Sequence, residues 1–354
     1  MKVCHFTSVH NTADDRIFLK ECQSLQKNGY DVYLVGKGES REQEGIHIVG
    51  CGEATGKLQR LVSFSDKVYQ KAAQLDCDIY HFHDPELLPY GLKLKKKGKI
   101  VIFDSHEDVP AQILDKKWIP EKLRKTVSAA YKKYETHVVR HLDAVITATD
   151  HIADQFKGRA RKITVIQNYP KLGDIQFHET PFAQREAIVC YAGGISEDRG
   201  EKIMIDAMKE VDGRLIIAGS HEKTQAGDKV EYIGMQDRNG VNALYGKSVA
   251  GLCILKPIKN YFYSQPIKMY EYMAAGLPFV CSDFPGWKKI VEDSQSGICV
   301  DPSRPDEIGK AIAGLLADRE KAQEMGRRGH EYVLSHFTWE NEEEKLLKLY
   351  AELK

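Results

Sequence analysis

The stretch "SQPIKMYEYMAAGLPFVCSD" (264–283) joins a short helix to a buried strand and decides the fold class. Pro266 suits the first position of a helix, because the N–H that proline lacks would be unbonded there. Gly276, followed closely by a proline, is a strong helix stop. The stretch therefore predicts a helix over 265–275 and a strand over 278–283, which is half of a βαβ unit.

The same alternation of apolar runs and helical patterns extends along the whole chain. Continuous β-branched runs suit strands that are buried on both faces, as in a parallel sheet covered by helices. The first half predicts strands over 2–8, 30–36, 46–50, 78–83, 100–105, 144–149 and 163–168. The second half predicts strands over 187–193, 214–219, 230–234, 250–255, 278–283 and 297–301. We therefore expect the α/β class with doubly wound sheets.

The chain length suits two domains, because 354 residues exceed one ordinary core and match two of roughly 150–180 residues. We expect a first domain over 1–170, a linker over 171–185 and a second domain over 186–337. The linker is placed in the segment 168–186, which lacks clear periodicity and contains two prolines. A closing helix over 338–354 is expected to pack back on the first domain.

Composition excludes several function classes. Lys plus Arg and Asp plus Glu both total 51, so the chain lacks the basic excess of a nucleic-acid-binding protein. None of the eight cysteines forms a CxxC pair, so we expect no zinc site. Several cysteines lie in apolar runs, which predicts small core residues in a reducing compartment. The N-terminus lacks the apolar stretch of a signal peptide, and no run of about 18 apolar residues occurs. We therefore expect a cytoplasmic protein.

Two glycines and a cation follow the first strand of the second half. Gly193 and Gly194 permit a tight turn or the close approach of a ligand to the backbone. Arg199 then stands at the start of a helical pattern. Such a pattern is typical of a phosphate cradle; an ordinary βα turn with a surface arginine is the alternative.

The helix of the opening stretch carries a second set of candidate residues. Its free N–H groups favour an anion at the helix start, and Lys268 adds a cation there. Glu271 lies on the same face as Ile267 and can accept hydrogen bonds from ligand hydroxyls. The alternative is a surface ion pair between Lys268 and Glu271 at i,i+3.

These motifs together resemble the retaining glycosyltransferases of GT-B family 4. The second half resembles the family in "YAGGISEDRGEKIMIDAM", "PIKMYEYMAAGLPFVCSD", "SGICVDPSRPDEIGKAI" and "HFTWENEEEKLLKLY". The first half, in "TSVHNTADDRIFLKECQSLQKNGYDV", "YHFHDPELLPYGL" and "VIFDSHEDVP", looks like a subgroup that builds bacterial surface polysaccharides. The resemblance covers essentially the whole chain. It implies the GT-B fold, with two Rossmann-like domains that face a cleft.

The resemblance implies how the second domain binds a nucleotide sugar. Arg199 and Lys268 would clamp the diphosphate, although Gly194 stands where the family usually has an arginine. Glu271 matches the carboxylate that holds the ribose hydroxyls. Tyr263 replaces the earlier carboxylate of the family's E-x7-E pair, which leaves the bound sugar open. The residues expected at this site are Gly193, Gly194, Arg199, Ile233, Gly234, Tyr263, Ser264, Pro266, Ile267, Lys268 and Glu271, with the base against Ile233 and Gly234.

The resemblance also implies acceptor residues in the first domain. His106 matches the family's active-site histidine; a structural loop histidine is the alternative. His10, His83 and Glu107 are the expected acceptor contacts, although Asp84 after His83 also suits helix capping. The expected catalytic residues are His106, Arg199 and Lys268.

The implied activity is retaining transfer (EC 2.4) of a sugar from a nucleoside diphosphate sugar to a hydroxyl of a saccharide or lipid-linked acceptor in surface polysaccharide synthesis. A UDP-sugar is favoured as donor and a GDP-sugar is the alternative. No cofactor and no metal are expected, because the cations can replace a metal. The basic stretch 93–141 either contacts the inner face of the membrane or is a solvated face of its own domain. Rival functions are a nucleotide-sugar-binding protein without transferase activity and a GT-B nucleotide-sugar epimerase.

Overall fold

The computed structural model describes residues 1–56, 59–116, 118–220, 228–258, 261–262, 265 and 267–354. The chain divides into two units. The first comprises Met1–Asn168 together with Asn341–Lys354, and the second comprises Tyr169–Glu340. Each unit has its own sheet with helices against it, so the predicted α/β class is confirmed.

The sheet of the first unit has eight strands in the order β3-β4-β2-β1-β5-β6-β7-β8. All of its strand pairs are parallel except β3 with β4, which is antiparallel. The strands are β1 (Lys2–Phe6), β2 (Asp31–Gly36), β3 (Arg41–Gln43), β4 (Ile46–Gly50), β5 (Ile79–Phe82), β6 (Ile100–Ser105), β7 (Ala144–Thr147) and β8 (Ile163–Val165).

Several helices of the first unit begin with an irregular turn. Short π-helical segments, Asp15–Cys22 and Arg60–Phe64, lead into the first two helices, and a 3-10 turn, Pro85–Leu87, leads into the third. The helices are α1 (Gln23–Lys27), α2 (Ser65–Gln74), α3 (Leu88–Lys96), α4 (Val109–Asp115), α5 (Glu121–Val139) and α6 (Asp150–Phe156).

The sheet of the second unit has six parallel strands in the order β11-β10-β9-β12-β13-β14. The strands are β9 (Ile188–Ala192), β10 (Arg214–Ala218), β11 (Val230–Tyr232), β12 (Ala250–Cys253), β13 (Phe279–Ser282) and β14 (Gly297–Val300). The helices from here to the chain end are α7 (Glu201–Ala207), α8 (Arg238–Lys247), α9 (Ile267–Ala274), α10 (Pro285–Ser294), α11 (Pro305–Ala317), α12 (Arg319–His336) and α13 (Trp339–Glu352).

Strand order locates the candidate sites of both units. In the first sheet the order reverses between β1 and β5, and in the second it reverses between β9 and β12. Ligands of doubly wound sheets bind outside the carboxyl ends of the strands at such a switch point. Functional side chains are therefore expected in the loops that follow these strands.

The stretch 264–283 folds as its pattern indicates over its described residues. Helix α9 ends just before Gly276, whose φ of +70° is the left-handed conformation that favours glycine. A Cβ on Gly276 would also stand 2.4 Å from the ring of Phe177. β13 follows with all four residues buried.

The cysteines and the helices of the described residues bear on two expectations from composition. All eight cysteines are free thiols and seven of them are buried, which fits small core residues. No helix in the described ranges is both long enough and apolar enough to cross a bilayer.

Candidate functional site

A cavity of about 330 Å³ opens in the second unit beyond the carboxyl ends of β9 and β10, next to the switch point between β9 and β12. Its wall combines glycine-rich loops with a few polar side chains, as in many small-molecule sites. The lining residues are Ala192, Gly193, Gly194, Ala218, Gly219, Ser220, Met235, Gln236, Asp237, Arg238, Val241 and Glu271.

The diglycine after β9 lets two cations approach the backbone. A Cβ on Gly193, which has a φ of +137°, would stand 2.7 Å from Cε of Lys268. A Cβ on Gly194 would stand 2.5 Å from Nη1 of Arg199. The two glycines therefore leave room for the ends of the Lys268 and Arg199 side chains beside the backbone, and the structure brings these four predicted residues together.

Lys268 is half-buried, and its Nζ lies 5.0 Å from the centre of the Tyr191 ring. Burial is the main cause that lowers the pKa of Lys268; Cys253 raises this pKa, the charge of Arg199 lowers it further, and Glu271 raises it, with a net pKa below the ordinary value. Among the described residues no ion pair involves Lys268. Two neighbouring cations without a close anion are an arrangement that a bound anion would relieve.

Glu271 is held by two partners at the cavity wall. Its Oε1 accepts a hydrogen bond from Nη1 of Arg238 at 2.9 Å, and its Oε2 accepts one from the Tyr245 hydroxyl at 3.1 Å. The described ion pairs join Glu271 to Arg238 and not to Lys268, so the proposed surface pair at i,i+3 does not form. Both partners lie on α8, far from Glu271 in sequence, and no pattern in the sequence indicated them.

The other predicted residues of this site have different outcomes. Ile267 is half-buried at the first position of α9. Ile233 and Gly234 use their carbonyls in the loop after β11, where Gly234 accepts from the N–H of Gly219 at 2.8 Å. The cavity wall there begins with the next residue, Met235. The predictions at Tyr263, Ser264 and Pro266 lie outside the described residues.

Three predicted histidines come together at the switch point of the first unit. The ring centre of His106 lies 5.3 Å from that of His10 and 5.6 Å from that of His83. They follow β6, β1 and β5, whose carboxyl ends meet at one edge of the sheet. Glu107 is exposed beside them.

His106 rests on a buried carboxylate that sequence reasoning missed. Its Nε2 lies 2.8 Å from Oδ2 of Asp104, which is fully buried in β6. Arg16 donates to both oxygens of Asp104, at 2.9 and 3.1 Å. Burial raises the pKa of Asp104, but the charges of Arg16 and His106 outweigh it and hold that pKa well below its ordinary value. Asp104 is therefore an ionised support for His106.

His10 lies between two carboxylates. Its Nδ1 is 3.3 Å from Oδ2 of Asp14, and its Nε2 is 3.5 Å from Oδ1 of Asp84. Burial lowers the pKa of His10, but the two carboxylates outweigh burial and the net pKa is raised. Burial raises the pKa of Asp14, yet the hydrogen bonds from His10 and from the N–H of Ile17 lower it to about 2.

Asp84 does not cap the helix that follows it, so the capping alternative is wrong. Its Oδ2 accepts instead from the Thr7 hydroxyl at 2.7 Å and from the N–H groups of Ser8 and Val9 at 2.6 and 3.1 Å. Asp84 therefore shapes the loop after β1, in which His10 lies.

One of these histidines, His83, also belongs to a fully buried polar cluster of the first unit. Its side chains with zero exposure are His5, Glu21, His81 and His83. Burial is the first cause that lowers the pKa values of the three histidines and raises the pKa of Glu21. His81 lies in β5 and His83 directly follows that strand, and this period-2 spacing was the available signal for a shared face.

Comparisons with known proteins match both halves of the chain. Residues 174–332 match a family model described as "Glycosyl transferases group 1", and residues 16–169 match one described as "Glycosyltransferase Family 4". An alpha-D-kanosaminyltransferase of Streptomyces kanamyceticus is 25% identical over 242 residues, which cover 62% of this chain and 63% of that protein. The chain spans less than two thirds of the length of the curated relatives it matches.

Solved structures share the fold over nearly the full chain. Sucrose-phosphate synthase from Thermosynechococcus elongatus has a TM-score of 0.77 at 16% identity, covering 99% of this chain and 98% of that chain. HepE of Anabaena, in complex with UDP and glucose, has a TM-score of 0.74 at 15% identity, covering 99% and 100%. These likenesses establish the GT-B fold.

Proposed function

Since this chain belongs to the family 4, group 1 glycosyltransferases, we propose that it transfers a sugar from a nucleoside diphosphate sugar to an acceptor hydroxyl. The observation that carries the proposal is the cavity of the second unit, where Lys268 and Arg199 lie against the diglycine and Glu271 forms part of the wall. A diphosphate and a ribose need those two kinds of group side by side.

Lys268 and Arg199 act as the diphosphate clamp in this proposal. Negative charge grows on the diphosphate as the bond to the sugar breaks, and fixed cations stabilise that charge in the transition state. Both cations lie against the diglycine, close to where the diphosphate is proposed to bind. The transfer is therefore proposed to need no catalytic metal. Retention of the configuration of the sugar is proposed from the resemblance to the retaining glycosyltransferases of family 4.

Glu271 is the proposed ribose contact. Arg238 and Tyr245 fix the position of its carboxylate, and each of its oxygens keeps a further lone pair to accept from ribose hydroxyls. UDP is the favoured nucleotide, which the complex of the fold neighbour HepE with UDP supports. GDP is the alternative.

His106 is the proposed catalytic histidine of the first unit, and Asp104 is its positioning residue. His10 and Glu107 stay proposed acceptor contacts, because they are partly or fully exposed at the same sheet edge. His83 is buried against His5 and Asp104, and we assign it to the support of this edge. The acceptor class remains a saccharide or lipid-linked hydroxyl of surface polysaccharide synthesis.

The test begins with a thermal-shift screen of UDP, GDP and ADP. A ligand that binds the folded state at 100 times its Kd stabilises it by about 2.7 kcal/mol. We expect UDP to raise Tm most, and a Glu271→Ala variant to lose that increase. If Glu271→Ala kept both nucleotide binding and turnover, the assignment would be wrong.

Turnover separates a transferase from a binding protein or an epimerase. We expect release of free UDP from a UDP-sugar only when an acceptor is added, with a product of the same anomeric configuration by NMR. Added Mg²⁺ or Mn²⁺ should leave the rate unchanged. Release without an acceptor, inversion of the anomer, or a rate that depends on added metal would contradict the corresponding part of the proposal.

Helix α5 supports contact with an anionic membrane. It exposes Leu123 and Val127, with 53% and 39% of their surfaces accessible, among lysines that include Lys122 and Lys125. Apolar and basic side chains on one exposed helix favour an interface with anionic lipid. We expect the protein to sediment with phosphatidylglycerol vesicles at low salt and Leu123→Asp to weaken this. Leu334→Asp, at an exposed leucine of α12, is the matched control; no sedimentation of the wild type would remove the membrane role.

A further inference from the structure

The buried polar cluster of the first unit has the composition of a metal site. We propose that this unit holds a closed, structural zinc site whose four ligands are His5, Glu21, His81 and His83. None of these four ligands lines the cavity of the second unit, so the zinc proposal does not depend on the proposed function. Imidazole nitrogens with one carboxylate suit Zn²⁺ far better than Mg²⁺ or Ca²⁺, which prefer oxygen ligands.

The ligand atoms already converge. Oε2 of Glu21 lies 3.8 Å from Nδ1 of His5 and 3.9 Å from Nε2 of His83. It lies 4.0 Å from Nε2 of His81, and the His5 and His83 atoms lie 3.0 Å apart. All four atoms fall within 4.8 Å of one another. In a tetrahedral site with Zn–N and Zn–O bonds of about 2.0–2.1 Å, neighbouring ligand atoms are about 3.4 Å apart, and the four separations given above differ from this value by about 0.4–0.6 Å.

A polar group of the same unit faces the second nitrogen of each histidine. Nδ1 of His81 lies 2.9 Å and Nε2 of His5 lies 3.2 Å from the Tyr350 hydroxyl. Nδ1 of His83 lies 3.3 Å from Oδ2 of Asp104. Metal-binding histidines almost always direct their other nitrogen to such a group, which sets the tautomer. This arrangement leaves the converging nitrogens for a metal.

Two of the four converging atoms, His81 Nε2 and Glu21 Oε2, have no hydrogen-bond partner among the described residues, and the other two, His5 Nδ1 and His83 Nε2, lie in hydrogen-bond contact with each other at 3.0 Å. Oε1 of Glu21 is likewise buried without a hydrogen-bond partner among the described residues. Buried polar atoms are nearly always paired, so such a group requires an explanation. Arg16 Nε, at 3.1 Å, balances the charge of Glu21 Oε1 without hydrogen-bond geometry. A cation between the histidines and Glu21 Oε2 would satisfy the remaining atoms.

The local folding of the chain creates this convergence. His5 of β1 is paired in register with His81 of β5, and His83 follows two residues later on the same face. Glu21 lies in the π-helical segment Asp15–Cys22, in which residues five apart stand nearly above one another. This geometry is seen in the ion pair of Lys20 with Asp15 at 2.6 Å and places Glu21 above Arg16.

The test measures bound zinc in the purified full-length protein after growth in zinc-supplemented medium and dialysis. We expect one equivalent of zinc per chain by mass spectrometry of the metal. His81→Ala and Glu21→Gln should each reduce it at least tenfold. His141→Ala, which changes an exposed histidine next to His137 on α5, is the matched control and should keep the full equivalent. Absence of zinc from the wild type, or full zinc in His81→Ala, would overturn the site.

A variant that keeps all four ligands still tests the proposal if the ligand variants fail to fold. Tyr350→Phe removes only the hydroxyl that orients two histidines, and we expect a 10- to 100-fold weaker zinc affinity in competition with a chromophoric chelator. His106→Ala should leave zinc affinity unchanged, because His106 is outside the four ligands. Unchanged affinity in Tyr350→Phe, or loss of zinc in His106→Ala, would contradict the assignment.

Substitution of Co²⁺ for zinc shows whether the metal is bound by the four proposed ligands or by cysteine thiolates. Co²⁺ held by nitrogen and oxygen ligands in a tetrahedral site gives visible d–d bands without the thiolate charge-transfer band of a cysteine ligand. We expect the former spectrum in the wild type and its loss in Glu21→Gln. A thiolate band would place the metal on cysteines and refute the proposal.

Discussion

The variant Lys268→Met tests whether the charge of Lys268 serves nucleotide binding or the stability of the fold. Methionine keeps most of the aliphatic stem that lies against Gly193 but removes the charge. If Lys268 serves the diphosphate, the variant should lose nucleotide affinity and gain stability in the absence of nucleotide. A structural lysine would instead lose stability.

The magnitudes follow from the surroundings of Lys268. It is half-buried beside Arg199, burial lowers its pKa, and the described residues offer it no ion pair. Removing such a charge should stabilise the nucleotide-free protein by about 1 kcal/mol. That raises Tm by about 2–4 °C for a domain of this size. Loss of one charge-assisted bond to the diphosphate costs about 1.5–3 kcal/mol, or about 10- to 150-fold in Kd.

Scanning fluorimetry without nucleotide and calorimetric titration with UDP and with uridine provide the assay. We expect Lys268→Met to weaken UDP binding and to leave uridine binding unchanged, because uridine has no diphosphate. Lys289→Met is the matched control, since Lys289 is exposed on α10 and pairs with Asp293 at 3.1 Å. A lower Tm with unchanged UDP affinity would refute the reasoning.

Three further predictions concern single residues. Glu271→Ala should bind UDP and 2′-deoxy-UDP equally in calorimetry, whereas the wild type prefers UDP about tenfold because the carboxylate accepts from the ribose hydroxyl; equal binding by the wild type would contradict this. Arg16→Met should cost about 3–5 kcal/mol in urea unfolding because it leaves buried carboxylates without their cation, while Arg327→Met, at exposed ion pairs, should change stability by less than about 0.5 kcal/mol. The pKa of Asp14 falls from 3.8 to about 2 on folding, so its contribution is present above 3.8 and lost as pH falls through about 2. His10→Asn should raise that pKa, followed by NMR titration, and an unchanged value would contradict the pairing.

The fold was predictable because its signals are local. A strand buried on both faces is a continuous apolar run, and a helix ending in glycine leaves a stop that does not depend on the rest of the chain. The stretch through Gly276 shows both signals, and the structure has the helix and the strand there. The π-helical start at Asp15–Cys22 was not predictable, because apolar periodicity does not reveal an i→i+5 hydrogen-bond pattern.

The candidate sites were predictable only in part. Gly193, Gly194 and Arg199 are neighbours in sequence, and the helix of Lys268 carries its own anion-binding signal. Arg238 and Tyr245 reach Glu271 from a helix 26 to 33 residues away, and only tertiary packing reveals such a contact. The same holds in the first unit, where Arg16 and Asp104 are separated by 88 residues.

The two sites differ in how their charges are balanced, and this difference argues for different roles. In the first unit the charge of Arg16 is matched by Asp104 and Glu21 at 2.9 and 3.1 Å, so that cation is neutralised within the unit. In the second unit Lys268 and Arg199 face each other's charge across the diglycine, and Glu271 is already engaged by Arg238. Protein folding alone favours the first arrangement and disfavours the second. A pair of cations beside a cavity with no ion pair among the described residues is therefore best explained by an anion that comes from outside, and a nucleotide diphosphate has the charge to match it.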